Sequence, residues 1–274
     1  MKWLFVLLLA IVVFGGAAFF SYNIFVKQEI AVRAEQKSDA RPQATPDFGL
    51  TEFRAAQGLK EDGKLSEARS ALVAFLERYP TGPHSEEAKD LLGQVNISIL
   101  LSRYPAPGKS EYTVKKGDVI ARVASKMKTT PDLIMRMNNM NSTMLRIGER
   151  LMISHPDFSL FIQRNERVVV LLDHGQFFKR YHVQNVKLLG RQAPKISTRV
   201  AEVLAWKNGK RVGFGSKEYP SSTRWIRLAA NGYTLYAEAS GGVLPPPQGL
   251  QMEARDLVEL STLVNNKTPA TITD

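Results

Sequence analysis

A chain of 274 residues with 37 Lys and Arg against 26 Asp and Glu carries a formal charge of +11 and has no cysteine. The length suffices for one large domain or two to three small ones, and the missing thiols exclude disulfides, thiolate metal sites and cysteine nucleophiles together. The basic excess attracts polyanions such as nucleic acid, anionic lipid headgroups or acidic wall polymers. It is spread as about +6 after His155, about +4 over Glu111–Ser154 and about +1 before that. With no basic run and no RNA-binding signature, nucleic acid is not expected as a partner.

Residues 1–26 come first. Trp3–Val26 contains no charged residue and is bracketed by Lys2 and Lys27. As a helix it extends about 36 Å, enough to cross a hydrocarbon core. A signal peptide cut near Gly16–Ala18 is the rival reading, but the apolar run continues through Phe19, Phe20 and Ile24. That continuation favours an uncleaved single-pass anchor in a bacterial inner membrane. Lys27, Arg33, Lys37 and Arg41 outnumber Lys2, which alone would leave the rest of the chain cytoplasmic. The ligand argued below places it on the extracytoplasmic side instead. Residues 27–47 read as a short helical extension and a linker.

Residues 48–103 change character. Phe53, Ala56 and Leu59, then Ala68, Leu72, Phe75 and Leu76, recur at helical spacing. "EDGK" separates two helices, "YPTGPHS" stops the second, and Ser85 is expected to cap a third. The small-residue pattern, the "DGKLSEAR" turn and the "RYP" ending resemble a tetratricopeptide-type helical hairpin with part of a next repeat. One such unit falls short of a solenoid. The region reads either as a spacer or, over Lys64–Leu92, as a docking surface for another envelope protein. "YPAPGKS" (104–110) follows as a linker.

Glu111–Ser154 alternates apolar residues at Tyr112 and Val114, turns at Gly117–Asp118, and then shows a helical face of Ile120, Val123, Ala124 and Met127. The turn is expected to cap that helix. Thr130 is placed to cap, and Pro131 to open, a second helix carrying Leu133, Ile134 and Met137. Asn138–Thr143 form a polar turn, and Leu151–Ile153 close a β-α-α-β unit. Tyr112, Val114, Gly117, Asp118, Ile120, Ala124, Thr130, Leu133, Asn138, Ile147, Gly148, Leu151 and Ile153 carry a resemblance to the LysM domain, which binds N-acetylglucosamine-containing glycans such as peptidoglycan. Val119 departs from it, standing where the family usually has a hydroxyl residue. The resemblance implies a shallow glycan groove with Gly117, Asp118, Val119 and Ile120 on one wall and Met140, Asn141, Ser142, Leu145 and Arg146 on the other. For Gly117, Asp118 and Asn138, turn geometry and capping are an equally good explanation.

From residue 157 to 274 the rhythm is β, with strands expected around Leu160–Gln163, Val168–Leu172, Phe177–Val183, Val200–Trp206, Trp225–Ala229 and Thr234–Ala237. A loop ending in "PPPQGLQM" leads to a helix at Glu253–Val264, and "TPATI" gives a last strand. "FIQRNERVVVLLDHGQFFKRYHV", "RWIRLAANGYTLYAEAS" and "PPQGLQMEARDLVELSTLVNNKTPATI" resemble, in order and spacing, the L,D-transpeptidase catalytic domain, which acts through a cysteine thioester. In that resemblance the upstream histidine falls on Tyr236 and the motif histidine on Gln248. Gly249 keeps the glycine. The cysteine falls on Leu250 or in a one-residue deletion beside Gln251. The chemistry needs a thiolate and a histidine, and Ser240, His84, His155, His174 and His182 supply no triad spacing in their place.

The whole reads as a multidomain protein: an N-terminal transmembrane helix, an α-helical hairpin, a small LysM domain and a mostly-β, degenerate transpeptidase-like domain. The expected role is non-catalytic binding of peptidoglycan glycan strands. The alternatives are an envelope scaffold or regulator that binds protein, and a wall-modifying enzyme of unusual chemistry. No catalytic residue, metal site or cofactor is expected.

Overall fold

Three helices open the part of the chain that a computed structural model describes, residues 48–238 and 243–274. They are α1 (Leu50–Glu61), α2 (Leu65–Arg78) and α3 (Ser85–Leu101). Phe53 and Ala56, then Ala68, Leu72 and Phe75, then Ala88, Leu92 and Val95 face one another in a shared core. Their spacing of three, four and seven is the period of a buried helical stripe. Ser85 lies in the first turn of α3, with His84 at the cap position and no capping side-chain bond. The expectation for Ser85 is thus off by one residue.

Next comes the β-α-α-β unit: β1 (Lys109–Thr113), α4 (Ile120–Lys126), α5 (Pro131–Met137) and β2 (Arg150–Ser154). β1 and β2 pair antiparallel, from Lys109 opposite Ser154 to Thr113 opposite Arg150. Thr130 caps α5 by accepting from the Leu133 amide at 3.0 Å, and Pro131 opens it. Asp118 does not cap α4, which has no side-chain cap. Instead its carboxylate braces the preceding turn. Lys109 closes the end of α3, its Nζ donating to the Ile99 and Ser102 carbonyls, each at 2.6 Å. A cation there satisfies carbonyls that a helix terminus leaves without partners.

The remaining elements are β3 (Phe158–Gln163), β4 (Val168–Asp173), β5 (Gln176–Lys187), β6 (Lys195–Lys207), β7 (Lys210–Arg211), β8 (Thr223–Leu228), β9 (Thr234–Tyr236), β10 (Gly249–Met252), α6 (Ala254–Leu263) and β11 (Pro269–Thr273). The strands run in the order β11-β3-β4-β5-β10-β9-β8-β6, and β6 pairs back onto β11 to close the ring. The long β6 makes closure possible. Its first residues pair with β11, Ile196 opposite Ile272, and after a bulge between Val200 and Glu202 the rest pairs with β8. A closed ring leaves no long unpaired edge.

Leu160, Ile162, Val169, Leu171, Ile226, Leu235, Leu250 and Ile272 alternate into one core with Leu257 and Leu260 of α6. Ile97 and Leu100 of α3 and Leu133 and Met137 of α5 belong to the same core. Residues 49–274 therefore form one compact unit. Polar contacts seat α3 on β5: Asn96 Nδ2 donates to the Phe178 carbonyl at 2.7 Å, and Arg180 binds Asp90 at 2.7 Å as well as Glu86. A side chain at Gly93 would strike Lys179, so a glycine there permits the close approach.

Two expectations are corrected. The fold class anticipated a transmembrane helix. Trp3–Val26 lies outside the described residues, and among the described residues no helix is long and apolar enough to cross a membrane. The longest, α3, has 17 residues and begins with Glu86, Glu87, Lys89 and Asp90. That is about 25 Å of amphipathic helix against a hydrocarbon core of about 30 Å. The single-pass inner-membrane location and the membrane partnership rested on that helix, and no helix among the described residues supports them. The second correction concerns "GLQM", expected as the end of a loop. It is the strand β10, hydrogen-bonded on both sides, antiparallel to β5 and parallel to β9.

Candidate functional site

The two expected groove walls are the β1–α4 turn and the α5–β2 loop. Backbone bonds hold their roots together: the Val114 amide donates to Glu149 O and the Gly148 amide to Val114 O, both at 2.9 Å. Ile120 of one wall is buried in the same cluster that Met140 and Leu145 of the other pack against. The arrangement thus brings both walls together. Gly117, Val119, Asn141, Ser142 and Arg146 are exposed, and Asp118 is half-buried.

Each wall is internally braced. Asp118 accepts from the Lys115 amide and from the Tyr112 hydroxyl, both at 2.8 Å. The Lys115 amide first and the Tyr112 hydroxyl second hold its carboxyl below the usual carboxylate range. On the other wall, the Met144 amide donates to Ser142 Oγ at 3.2 Å and the Arg146 amide to Glu149 at 3.1 Å. Asn138, expected in a polar turn and among the residues of the LysM resemblance, is buried and fastens the loop to β2. Its amide nitrogen donates to Ile134 O and Met152 O, and its oxygen accepts from the Met152 amide, all at 2.8 Å.

Sequence reasoning missed Met144 and left Ile147 out of the walls, yet these and Val119 are 78%, 72% and 52% exposed. These three apolar residues stand in water on the two walls, the kind of exposure that marks an interaction surface when it is contiguous. The signal was present: Met144, Leu145 and Ile147 are apolar residues in what otherwise reads as a polar turn. Backbone amides and small polar groups beside apolar side chains can bind acetamido groups and cover their methyls. A cleft of about 680 Å³ lies elsewhere, between α4 and the turn after α6, with Lys128, His155 and Lys267 among its lining; no residue of either wall lines it.

The positions set against the transpeptidase motif fall on both faces of the sheet, with Gln251 paired opposite Tyr236. Leu250 is buried in the ring core. Tyr236 points to the opposite face of the sheet, buried with Leu204 and Trp225 and packed by Trp206 and Val243. Its ring meets Trp225 edge-on at 6.4 Å, and burial, then Glu238, push its phenol up from its ordinary value. Gln248 accepts from the Leu189 amide at 3.3 Å and lines a separate cleft of about 460 Å³. Gln251 donates to Glu238 at 3.4 Å. Any side chain at Gly249 would collide with the Thr234 carbonyl and the Tyr236 ring, so glycine there serves the packing of β9 on β10. These positions bring together no nucleophile and base.

His155, His174 and His182 lie in different settings. His155 Nδ1 lies 3.2 Å from the Met127 carbonyl, which only accepts, so Nδ1 carries the hydrogen and Nε2 takes that of Ser110 Oγ at 2.7 Å. His174 sits in a turn beside Asp173, and His182 is exposed on β5. Among the described residues no group of His, Asp and Glu could hold a metal ion.

Residues 112–154 match the LysM domain family. No curated protein matches the chain. Among solved structures it is similar to L,D-transpeptidase 1 of Mycobacterium tuberculosis, at 7% identity and a TM-score of 0.30, covering 46% of this chain and 66% of that one. It is also similar to an L,D-transpeptidase mutant of Enterococcus faecium, at 12% identity and a TM-score of 0.29, covering 42% and 49%. A third is the Ldtfm–avibactam carbamoyl enzyme, at 12% identity and a TM-score of 0.29, covering 66% and 79%. The chain thus spans two thirds or less of the length of the first two. At such TM-scores no residue correspondence or activity is carried over.

Proposed function

We propose that this chain is a non-catalytic binder of peptidoglycan glycan strands, gripping them between Gly117–Ile120 and Met140–Ile147. The observation that carries the reading is the LysM match over residues 112–154, coinciding with exposed Val119, Met144 and Ile147 on the two walls. Acetamido methyls would meet these side chains, and sugar polar groups the backbone of the turn. Val119, in place of a hydroxyl, exchanges a hydrogen bond for apolar contact. The formal charge of +11 favours an acidic wall polymer.

The non-catalytic half of the reading rests on composition and placement. A chain without cysteine cannot form a thioester, and we read Tyr236, Gln248, Gly249, Leu250 and Gln251 as remnants of a motif on sequence order alone. Co-sedimentation with purified sacculi tests binding. The full chain is expected to pellet, and Val119→Asp combined with Met144→Asp to stay in solution; equal retention of both would defeat the reading. Incubation with muropeptides should leave their mass spectrum unchanged, whereas new cross-linked or cleaved products would restore an enzymatic role.

A further inference from the structure

We propose that the glycan surface continues past the LysM wall onto the loop between β7 and β8, where Phe214 stacks against a further sugar of the same strand. This rests on the reading that the groove takes glycan. Gly215 lies against the wall loop: a Cβ there would sit 3.1 Å from Thr143 Cγ2. Thr143 stands between Ser142 and Met144. Phe214, next along the chain, is 37% exposed. The loop that carries an exposed aromatic therefore meets the wall loop at Thr143, although it comes from a distant part of the sequence.

The loop is built to present that ring. Phe214 meets Tyr219 edge-on with centroids 5.2 Å apart. The Arg224 guanidinium lies over the Tyr219 ring, 3.7 Å from its centroid, and donates to the Tyr219 carbonyl at 2.8 Å and to Ser222. Arg224 is 1% exposed, and its Nε has no partner. Among the described residues it has no carboxylate partner, a costly placement for a cation. What its remaining donors accomplish is to hold the turn under Phe214.

A pyranose presents a face of C–H groups, and a firmly held aromatic ring is suited to cover it. The occupant is the continuing glycan because the surface is continuous with the wall at Thr143, and a polysaccharide does not end where a short groove does. Calorimetry with N-acetylglucosamine oligomers, from the disaccharide to the hexasaccharide, decides the matter. The wild-type chain should gain affinity with length beyond the shortest oligomers. Phe214→Ala should bind short oligomers unchanged but the longest about five- to tenfold more weakly, and Phe214→Trp should restore the gain. Loss at every length, or at none, would overturn the extension. If the wild-type chain bound no oligomer of any length, the groove reading itself would have failed, a result distinct from loss of the length dependence.

Discussion

The LysM groove and the outer face of β6, β8 and β9 use the same side-chain chemistry to opposite ends. In the groove, Val119, Met144 and Ile147 stand in water on braced turns. On the sheet, Leu204, Trp225 and Tyr236 are buried against one another, with the Trp206 and Trp225 rings 5.4 Å apart. Apolar groups left exposed on a rigid frame offer binding energy to a ligand; the same groups packed together have already spent theirs on folding. On the proposed reading, recognition belongs to the small unit and stability to the ring.

The contrast can be broken most forcefully at Leu250. Leu250→Ala should cost about 3 kcal/mol in denaturant unfolding, the usual cost of a cavity in a closed core, with sacculus binding by the folded protein unchanged. In Leu250→Cys the thiol should react with a disulfide reagent only on unfolding; prompt reaction in the folded state would mean an open crevice at this position. Asn138→Ala should cost about 2 kcal/mol, because buried backbone groups of the wall loop lose their partner. Unlike the Leu250 variants, it should also weaken glycan binding, which a titration calorimeter would read. Arg180→Ala should cost about 1 kcal/mol, since Glu86 and Asp90 are largely solvated. It should leave glycan affinity untouched, keeping the seat of α3 on β5 separate from recognition.

The smallest expected effect is on pH. The folded pKa of Asp118 is depressed, first by the Lys115 amide and then by the Tyr112 hydroxyl. Its support of the turn is therefore present above the ordinary carboxylate range and lost as pH falls through the lowered value. Affinity measured against pH should decline on the acid side, and in Tyr112→Phe that decline should begin at a higher pH.

Much of the fold was legible because it is written in local patterns. Thr130–Pro131 announced the start of α5, and the apolar, β-branched runs at Leu160–Gln163 and Val168–Leu172 announced β3 and β4. Gly249–Met252 was not legible, because three prolines upstream read as a loop and the strand exists only through pairing with β5 and β9, distant in sequence. The shared core escaped for the same reason: Leu133 and Met137 look like the interior of a small unit, and nothing local says that they also pack against the ring. Of the site, the turn residues were visible through the LysM resemblance. Exposure was not, so Met144 was passed over. Asp118 was assigned a helix cap when its carboxylate instead closes the turn before it.

Chemical-shift mapping of the isotopically labelled full chain during titration with an N-acetylglucosamine oligomer tests the central claim most directly. Perturbations should concentrate in 117–120 and 140–147, extending to Phe214 with the longest oligomers, while Tyr236 and Gln248–Gln251 stay silent. Perturbations centred on Tyr236 and Gln248–Gln251, with the LysM turns unmoved, would contradict it.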